Sequence, residues 1–498
     1  VHFVDASCSS PVCNPSRNAL WSGYRPSTTR IWSNGNNPEG NFFRDVPGFG
    51  DAVSMHQLFR QNGYFTYAGG KLYHKGKMGN PETDPNNWDE LYTAGTGSPG
   101  GNLYKWEGNY TVKWSAGDFA LNTANDVKLA NAVADKITNY ASSPQSNQPF
   151  FIACGFFRPH LPWNVHKDFV EMYDPDSLTI PAGFLANDLN DINGANATGE
   201  HSEIVAQNQW INGVRAYLAN CSFADYNVGI VLDALRNSPY ANNTIVCFMG
   251  DHGWHLGEKS RWRKFSVYDI ANRTSLMIYD PSAPGNGQIC SKVVSLQDLY
   301  PTLAELAGIN KPPSVEGNSL APLLQDPDRT DWEKPIYISY AGKHIIKTNQ
   351  YRLVDDDADS QLYDVVNDPY EWTNLYGDPT YQGVILQLRS RLDSLVLRSS
   401  TIRDSLQNRT SIDENHVSPE GRIILNPLVT AETLMLDLEY AGHFVDLRVL
   451  DVKGQEVLKM ELMGEAQVPL QLPALPPGYY FLTVESEGRV RTEKFLIQ

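Results

Sequence analysis

The chain has 498 residues, of which 57 are acidic and 40 basic, and its formal net charge at pH 7 is −17. This length predicts two or three domains, one of them dominant, and the negative charge without a sustained Lys/Arg run argues against a nucleic-acid partner. No apolar run approaches the roughly 20 residues that cross a bilayer, so we expect no transmembrane segment.

Two short motifs stand in the first 71 residues. After a predicted strand over residues 1–6, residues 13–17 read C-N-P-S-R, and residues 63–71 follow the pattern G-Y-x-T-x-x-x-G-K. Either run alone is weak, because a cysteine beside a proline is more often a small buried residue. Together and in this order, they resemble the two signatures of the type I sulfatases.

The resemblance implies a nucleophile made from Cys13 by oxidation to formylglycine. One hydroxyl of the hydrated aldehyde can attack sulfur, and the other can then expel sulfate. A formylglycine-generating or maturation enzyme is therefore an implied partner. We expect Arg17 on the first turn of a helix, with its guanidinium on the formylglycine hydroxyl; the alternative is a surface salt bridge.

The start of the chain resembles the strand that enters the cysteine loop in this family. The family's preceding strand ends in paired aspartates that hold the metal, and no Asp-Asp pair occurs before Cys13. We therefore expect that strand, and two metal ligands with it, to be missing from this sequence.

Helical and strand-like patterns alternate through the next 200 residues. The helical patterns cover 52–62, 119–141 and 204–235, and the apolar strand-like runs cover 63–68, 149–155 and 244–249. Strands that are apolar on both faces and flanked by helices predict an α/β fold with a mainly parallel sheet covered by helices. The family resemblance implies the same architecture, the alkaline-phosphatase-like fold.

Lys71 and His74 form a Lys-x-x-His pair just after the strand-like run at 63–68. In so short a loop both can face one pocket, where lysine binds an anion and imidazole, with an unperturbed pKa of ~6.5, transfers a proton. The resemblance implies that Lys71 contacts sulfate and formylglycine and that His74 deprotonates the second hydroxyl. A lone histidine is more often structural.

His160 lies in a loop stiffened by Pro159 and Pro162, directly after the run at 149–155. The family resemblance gives His160 the role of general acid, which protonates the alkoxide released from sulfur. It gives Lys264 the role of a second sulfate clamp. Cationic groups around one tetrahedral anion stabilise the charge that moves to the leaving oxygen.

Asp251 and His252 follow directly on the run at 244–249, where ligands gather in parallel sheets. By themselves they are weak indications of a metal, which would need several more oxygens. With Trp254 and residues 257–265, however, the segment resembles the iduronate-2-sulfatase branch. That resemblance implies calcium held by Asp251, His252, the oxygen at position 13 and the missing aspartates, which would acidify the hydrated aldehyde.

The resemblance to this branch covers most of residues 1 to about 380. It suits a 2-O-sulfated uronic acid in a sulfated glycan, although another sulfated glycan stays open because the loops that read the sugar do not align. Trp254 and Trp262 are candidates for stacking on a sugar ring, with Trp254 the one we assign to substrate binding. Packing in the core is an equal alternative.

The sequence divides into four parts: a catalytic core over 1–330, an antiparallel subdomain with a helix over 331–405, a linker over 406–422 and a β-sandwich over 423–498. The family resemblance implies the first two, and composition and alternation predict the last two. The linker prediction rests on the Ser, Asn, Asp and Thr content between Arg398 and Pro419. The alternating strands and the turns at Lys453-Gly454 and Pro477-Gly478 predict the sandwich.

The last part resembles the C-terminal sorting domain of the type IX secretion pathway in Bacteroidetes. The matching residues are Asn426-Pro427, Asp451 to Gly454, Leu475 to Tyr480 and Lys494 to Ile497. The resemblance implies transit through the periplasm, the type IX machinery as a partner, and a secreted or surface-attached product. A carbohydrate-binding module is the alternative, since a sandwich alone does not specify function.

Two rival functions stand beside a glycan sulfatase. One is a phosphoester hydrolase of the same superfamily, against which the cysteine motif argues, because such enzymes need no oxidised cysteine. The other is a noncatalytic surface protein that binds sulfated glycans. Arguing against it is the retained set of candidate catalytic and metal-binding residues, Lys71, His74, His160, Asp251, His252 and Lys264.

Overall fold

The computed structural model describes residues 1–74, 84, 86–93, 104–105, 112–356 and 359–410. In the C-terminal part it describes residues 423–425, 433–438, 444–451, 455–463, 468–471, 476, 478–486 and 489–497. The chain divides into two units, Val1–Ser411 and Ile412–Gln498.

The first unit alternates helices and strands. Its described helices are α1 Cys13–Ser22, α2 Pro26–Thr29, α3 Met55–Gln61, α4 Asn125–Asn139, α5 Lys167–Glu171, α6 Gly199–Ala206, α7 Trp210–Arg236, α8 Asp269–Asn272, α9 Leu299–Leu306, α10 Ala321–Gln325 and α11 Gln382–Thr410. Its described strands are β1 His2–Ser7, β2 Phe65–Gly70, β3 Glu90–Tyr92, β4 Tyr104–Lys105, β5 Trp114–Gly117, β6 Phe150–Gly155, β7 Trp163–His166, β8 Val246–Met249, β9 His255–Leu256, β10 Trp262–Arg263, β11 Arg273–Tyr279, β12 Ile289–Cys290, β13 Val294–Ser295, β14 Ile336–Tyr340, β15 Lys343–Lys347, β16 Tyr351–Asp355 and β17 Gln361–Asp364.

The α/β architecture predicted from the sequence is confirmed. β2 pairs in parallel with β3 and β6. A second sheet has the order β12-β1-β11-β8, with β13 also on β1. It is mixed, because β11 runs antiparallel to both β1 and β8 while β12 and β13 run parallel to β1.

α1 carries the cysteine motif into the core. All of its residues except Arg17 are buried, and the helix ends at Gly23, whose φ of 75° suits a left-handed cap. Trp21 of this helix packs in the main core cluster with residues such as Phe3, Phe43 and Tyr300. This packing fixes the helix and therefore the position of its first residue, Cys13.

Two sequence predictions about helices were wrong in detail. The helical stretch at 204–235 is two helices, α6 and α7, with Asn208 between them at φ 54°, a conformation that Asn adopts more readily than most residues. The linker expected over 406–422 begins later, because α11 continues to Thr410. Leu406 is buried in the main core, and this tertiary contact outweighs the polar composition.

The antiparallel subdomain has the order β14-β15-β16-β17, and residues of α11 pack in one hydrophobic cluster with it. Buried ion pairs tie this sheet to the segment after β10. Lys347 Nζ lies 2.8 Å from Asp269 Oδ1, and Arg352 donates to Glu371 Oε1 at 2.6 Å. Glu371 Oε2 in turn accepts the backbone N–H of Asp269 at 2.7 Å.

The secondary structure in the described part of the second unit consists of strands, as predicted. Its described strands are β18 Ile423–Leu425, β19 Thr433–Leu438, β20 Phe444–Asp451, β21 Glu456–Met463, β22 Val468–Gln471, β23 Gly478–Ser486 and β24 Arg489–Ile497. They form two antiparallel sheets, β18-β19-β22 and β21-β20-β23-β24. The predicted turn at Lys453-Gly454, the Asn426-Pro427 pair and Pro477 lie outside the described residues.

In the part of the chain that is described, the helices include none with an apolar stretch long enough to cross a membrane. All six cysteines fall in that part, and none of them forms a disulfide there.

Candidate active site

Cys13 is the first residue of α1 and is fully buried. A helix N-terminus favours negative charge on the side chain that it carries. Two cationic side chains and an imidazole contact the thiol: Lys264 Nζ at 2.8 Å, Lys71 Nζ at 3.8 Å and His252 Nε2 at 3.3 Å. We call Cys13 and these three residues the cationic pocket.

Lys71 enters the cationic pocket from the end of β2. Gly70 has a φ of 81°, and a Cβ at this position would collide with the carbonyl oxygen of Gly155 on β6. Only glycine fits so close an approach of two strands, and it turns the chain so that Lys71 reaches Cys13. His74, three residues on, is among the groups that lower the pKa of the Cys13 thiol.

Asp251 and His252 follow β8, as the sequence predicts. Arg17 binds Asp251 through its Nε, 2.7 Å from Oδ2, and its NH1 donates to the carbonyls of Lys71 and Leu72. In the described contacts, Arg17 therefore reaches the carboxylate and the Lys71 backbone rather than the side chain at position 13. It ties three converging segments together from a partly buried position.

Lys264 lies on a strained segment. Arg263 and Phe265 on either side of it have φ of 74° and 71°, and Lys259 and Ser260 have φ of 55° and 50°. Such values cost a non-glycine residue on the order of 1–3 kcal/mol each and persist only where the surroundings enforce them. The strain directs a 5% exposed lysine at the thiol.

His160 lies in the loop after β6, and its ring centre is 6.4 Å from that of Trp254 beside the cationic pocket. Its Nδ1 lies 2.6 Å from the carbonyl oxygen of Leu161. A carbonyl only accepts, so Nδ1 carries the hydrogen and the other ring nitrogen is left for the pocket.

The electrostatics of the cationic pocket favour an anion. Burial would raise the pKa of Cys13, but the charge of His252 and hydrogen bonds from His160, His252 and His74 bring this pKa well below its ordinary value. Burial also lowers the pKa of Lys71, helped by the nearby charge of Arg17. Burial works against ionisation of Asp251, yet Arg17 and His252 hold its pKa far below the usual range.

A divalent cation fits beside the thiol. Cys13, Asp251 and His252 each offer a ligand atom, and these atoms lie within 4.8 Å of one another. If Cys13 were converted to formylglycine, an oxygen would replace the sulfur, and the set would become two oxygens and one imidazole nitrogen. Calcium takes six to eight ligands, mostly oxygens, and the remaining ones must come from outside this trio.

Trp254 borders the cationic pocket, whereas Trp262 does not. The Lys264 ammonium lies 5.5 Å from the Trp254 ring, which stacks on Tyr217 at 6.3 Å and 14°. Trp262 is 2% exposed and packs in a core cluster with Trp163. Core packing therefore accounts for Trp262, and Trp254 is the one left to face a ligand.

Two residues behind the cationic pocket were not predicted from the sequence. The Phe157 ring lies 5.2 Å from the Lys71 ammonium, and the Asp126 carboxylate binds the backbone of the His160 loop. Phe157 immediately precedes the Arg-Pro-His run, and this position in the sequence could have identified it. Asp126 has no motif, and its position in the first turn of α4 is typical of any helix cap.

Three models of known protein families match successive parts of the chain. A family model described as Sulfatase matches residues 1–309, and one described as N-sulphoglucosamine sulphohydrolase, C-terminal, matches residues 250–398. A model described as Secretion system C-terminal sorting domain matches residues 426–498.

Individual proteins similar to this chain are also described as sulfatases. A sulfatase from Formosa agariphila is 32% identical over 423 residues, which are 79% of each chain. The iduronate 2-sulfatase of Mus musculus is 30% identical over 365 residues, 63% of each chain. A solved structure described as a 2-O GAG sulfatase shares the fold, with a TM-score of 0.60 at 23% identity, and the match covers 81% of this chain and 86% of that one.

Proposed function

The chain belongs to the sulfatase family, and we propose that it hydrolyses the 2-O-sulfate ester of a uronic acid in a sulfated glycan through a formylglycine made from Cys13. Family membership makes it a sulfuric ester hydrolase that acts on sulfated glycans. The sorting domain marks it for type IX secretion, as a secreted or surface-attached protein.

The observation that carries the proposal is the cationic pocket. Two ammonium groups and an imidazole surround one buried side chain at a helix N-terminus. A structural cysteine gains nothing from such neighbours, because burying uncompensated cations is costly. The arrangement suits a sulfate group held against position 13.

Formylglycine and a metal would each supply one element of the chemistry. Formylglycine, formed by a maturation enzyme, would supply two hydroxyls on one carbon, one to attack sulfur and one to release sulfate. A divalent cation such as calcium, held by Asp251, His252 and position 13, would supply fixed positive charge that acidifies the attacking hydroxyl.

The side chains of this protein perform the remaining work. Lys71 and Lys264 hold the sulfate oxygens and stabilise the charge that accumulates there. His160 donates a proton to the leaving alkoxide, and His74 removes a proton when sulfate departs. Arg17 keeps the Asp251 carboxylate ionised and ready for the cation.

The choice of sugar rests on the relatives and on Trp254. One relative is an iduronate 2-sulfatase and one related fold is a 2-O GAG sulfatase. Trp254 offers a ring beside Lys264, and aromatic rings of this kind combine an apolar face with a polar edge. A uronic acid ring placed there would bring its 2-O-sulfate to the cationic pocket.

The test uses full-length protein matured with a formylglycine-generating enzyme. Peptide mass spectrometry checks the aldehyde at position 13, and ion chromatography measures sulfate released from disaccharides that carry a single sulfate, on the uronic acid 2-O or on the hexosamine 6-O. We expect release from the 2-O ester, and none from the Cys13→Ala variant.

Three results would contradict parts of the proposal. Faster release from the 6-O ester would overturn the choice of sugar. Faster turnover of an aryl phosphate than of the matched aryl sulfate would favour a phosphoester hydrolase. Binding of the glycan without sulfate release, with the aldehyde present, would favour a noncatalytic binding protein.

A further inference from the structure

A buried carboxylate lies behind the His160 loop, outside every motif of the sequence. Asp126, the second residue of α4, is 4% exposed. Its Oδ1 accepts the backbone N–H of Phe157 and its Oδ2 accepts that of Arg158, each at 3.0 Å. Hydrogen bonds to an ionised acceptor are among the stronger ones in proteins, so two on consecutive residues fix the direction of the chain as it enters the loop.

Arg158 holds the same loop from its other side. This residue is 3% exposed, and its NH1 donates to the carbonyl of His160 at 2.9 Å, while its Nε donates to the carbonyl of Asn164 at 3.2 Å. Asp126 thus binds the beginning of the loop, and the Arg158 side chain binds its middle and its end. The backbone around His160 is determined by this pair.

By binding the backbone of Phe157, Asp126 also affects Lys71, because the Phe157 ring lies beside that lysine. The Phe157 ring, whose backbone Asp126 binds, lies 5.2 Å from the Lys71 ammonium and 5.0 Å from the His160 ring. A cation over an aromatic face is attracted to it, more strongly where water is excluded. A shift of residue 157 would therefore move the surroundings of two functional groups at once.

We propose that Asp126 is a positioning residue for the leaving-group step, which acts by holding the Phe157–His160 backbone so that His160 meets the leaving oxygen. The inference rests on the proposed function, in which His160 is the general acid. The competing interpretation is a helix-capping carboxylate that contributes to stability alone.

The test compares two sulfate esters that need the acid to different degrees. Asp126→Asn keeps the size of the side chain but places an amide NH₂ where one backbone N–H needs an acceptor. General acid catalysis contributes about 10²–10⁴ in rate, and 4-nitrophenyl sulfate needs little of it because its leaving group departs as a stable anion. We expect Asp126→Asn to slow hydrolysis of the sugar sulfate about 10-fold to 100-fold more than hydrolysis of 4-nitrophenyl sulfate.

Two further variants make the result decisive. Asp135→Asn, on an exposed position of the same helix, should change neither rate. His160→Ala should show the same selectivity as Asp126→Asn, but more strongly. Equal losses of Asp126→Asn on both esters, with a lower melting temperature and a selective His160→Ala, would overturn the positioning role and leave the proposed function intact.

Other outcomes distinguish a failure of the acid role of His160 from a failure of the positioning role of Asp126. If His160→Ala also loses both activities equally, the acid role is wrong and the inference about Asp126 falls with it. If Asp126→Asn does not fold, Arg158→Lys decides, because lysine keeps the charge but loses the fork of donors that spans the loop. A selective loss on the sugar sulfate supports the positioning role, and an equal loss overturns it.

Discussion

Replacing Lys264 by methionine removes the ammonium group closest to the reacting position. Its Nζ lies 2.8 Å from the sulfur of Cys13, against 3.8 Å for Lys71. A hydrogen bond to a charged group contributes about 1.5–3 kcal/mol, and a preorganised donor at developing charge about 10²–10³ in rate. We expect Lys264→Met to lower kcat/KM about 100-fold and Lys71→Met about 10-fold, at about 1.4 kcal/mol per tenfold change.

The Lys264→Met variant should lose activity without losing thermal stability. Burial, with the like charges of Arg17 and Lys264, lowers the pKa of Lys71, so removing Lys264 relieves repulsion between buried cations. The melting temperature of Lys264→Met should equal or exceed that of the wild type, as is common where a functional site is not optimised for stability. Steady-state kinetics on the 2-O-sulfated disaccharide and thermal melts measure both quantities. A larger loss of kcat/KM for Lys71→Met than for Lys264→Met would refute the ranking by distance.

Three other predictions concern the stability of the fold and the close approach of β2 to β6. Burial raises the pKa of Asp298 to about 6, above the unfolded value of ~3.9; the stability gained from its proton is therefore complete below pH ~4 and lost as pH rises through 6, by about 3 kcal/mol. Urea unfolding between pH 4 and 7 should show this slope in the wild type and not in Asp298→Asn. Lys347→Met leaves the buried carboxylate of Asp269 without its lysine and should lower the free energy of unfolding in urea by about 3–5 kcal/mol. Arg329→Ala, which breaks an exposed pair, should leave the urea midpoint nearly unchanged, because exposed ion pairs are screened by solvent. Gly70→Ala should displace Lys71 and abolish turnover; full activity would show that the approach of β2 to β6 can relax.

Much of the site was predictable because its motifs follow strands. Lys71 comes after β2 and His160 shortly after β6, and because these two strands are parallel neighbours their ends meet at one edge of a sheet. Asp251 follows β8, which belongs to the mixed sheet. A motif, moreover, records residue types that the chemistry itself requires. Local sequence therefore indicated that these side chains lie close to one another.

What the sequence did not predict depends on contacts between distant segments. Arg17 binds Asp251, 234 residues away, and Asp126 binds backbone groups 31 and 32 residues away. Neither pair leaves a local pattern. The burial of Trp262 and the extension of α11 to Leu406 likewise follow from tertiary packing, which outweighs local composition and propensity.

The antiparallel subdomain helps to hold the strained segment around Lys264. Lys259 binds Asp188 and the carbonyl of Glu371, and Glu371 binds the backbone of Asp269. These contacts hold both sides of the segment, and Arg352 of the subdomain completes the set by binding Glu371. Positive φ values at consecutive non-glycine residues relax unless such contacts enforce them. The cation that faces position 13 is thus held in place partly by the subdomain, which makes the subdomain part of the active site's support rather than an appendage.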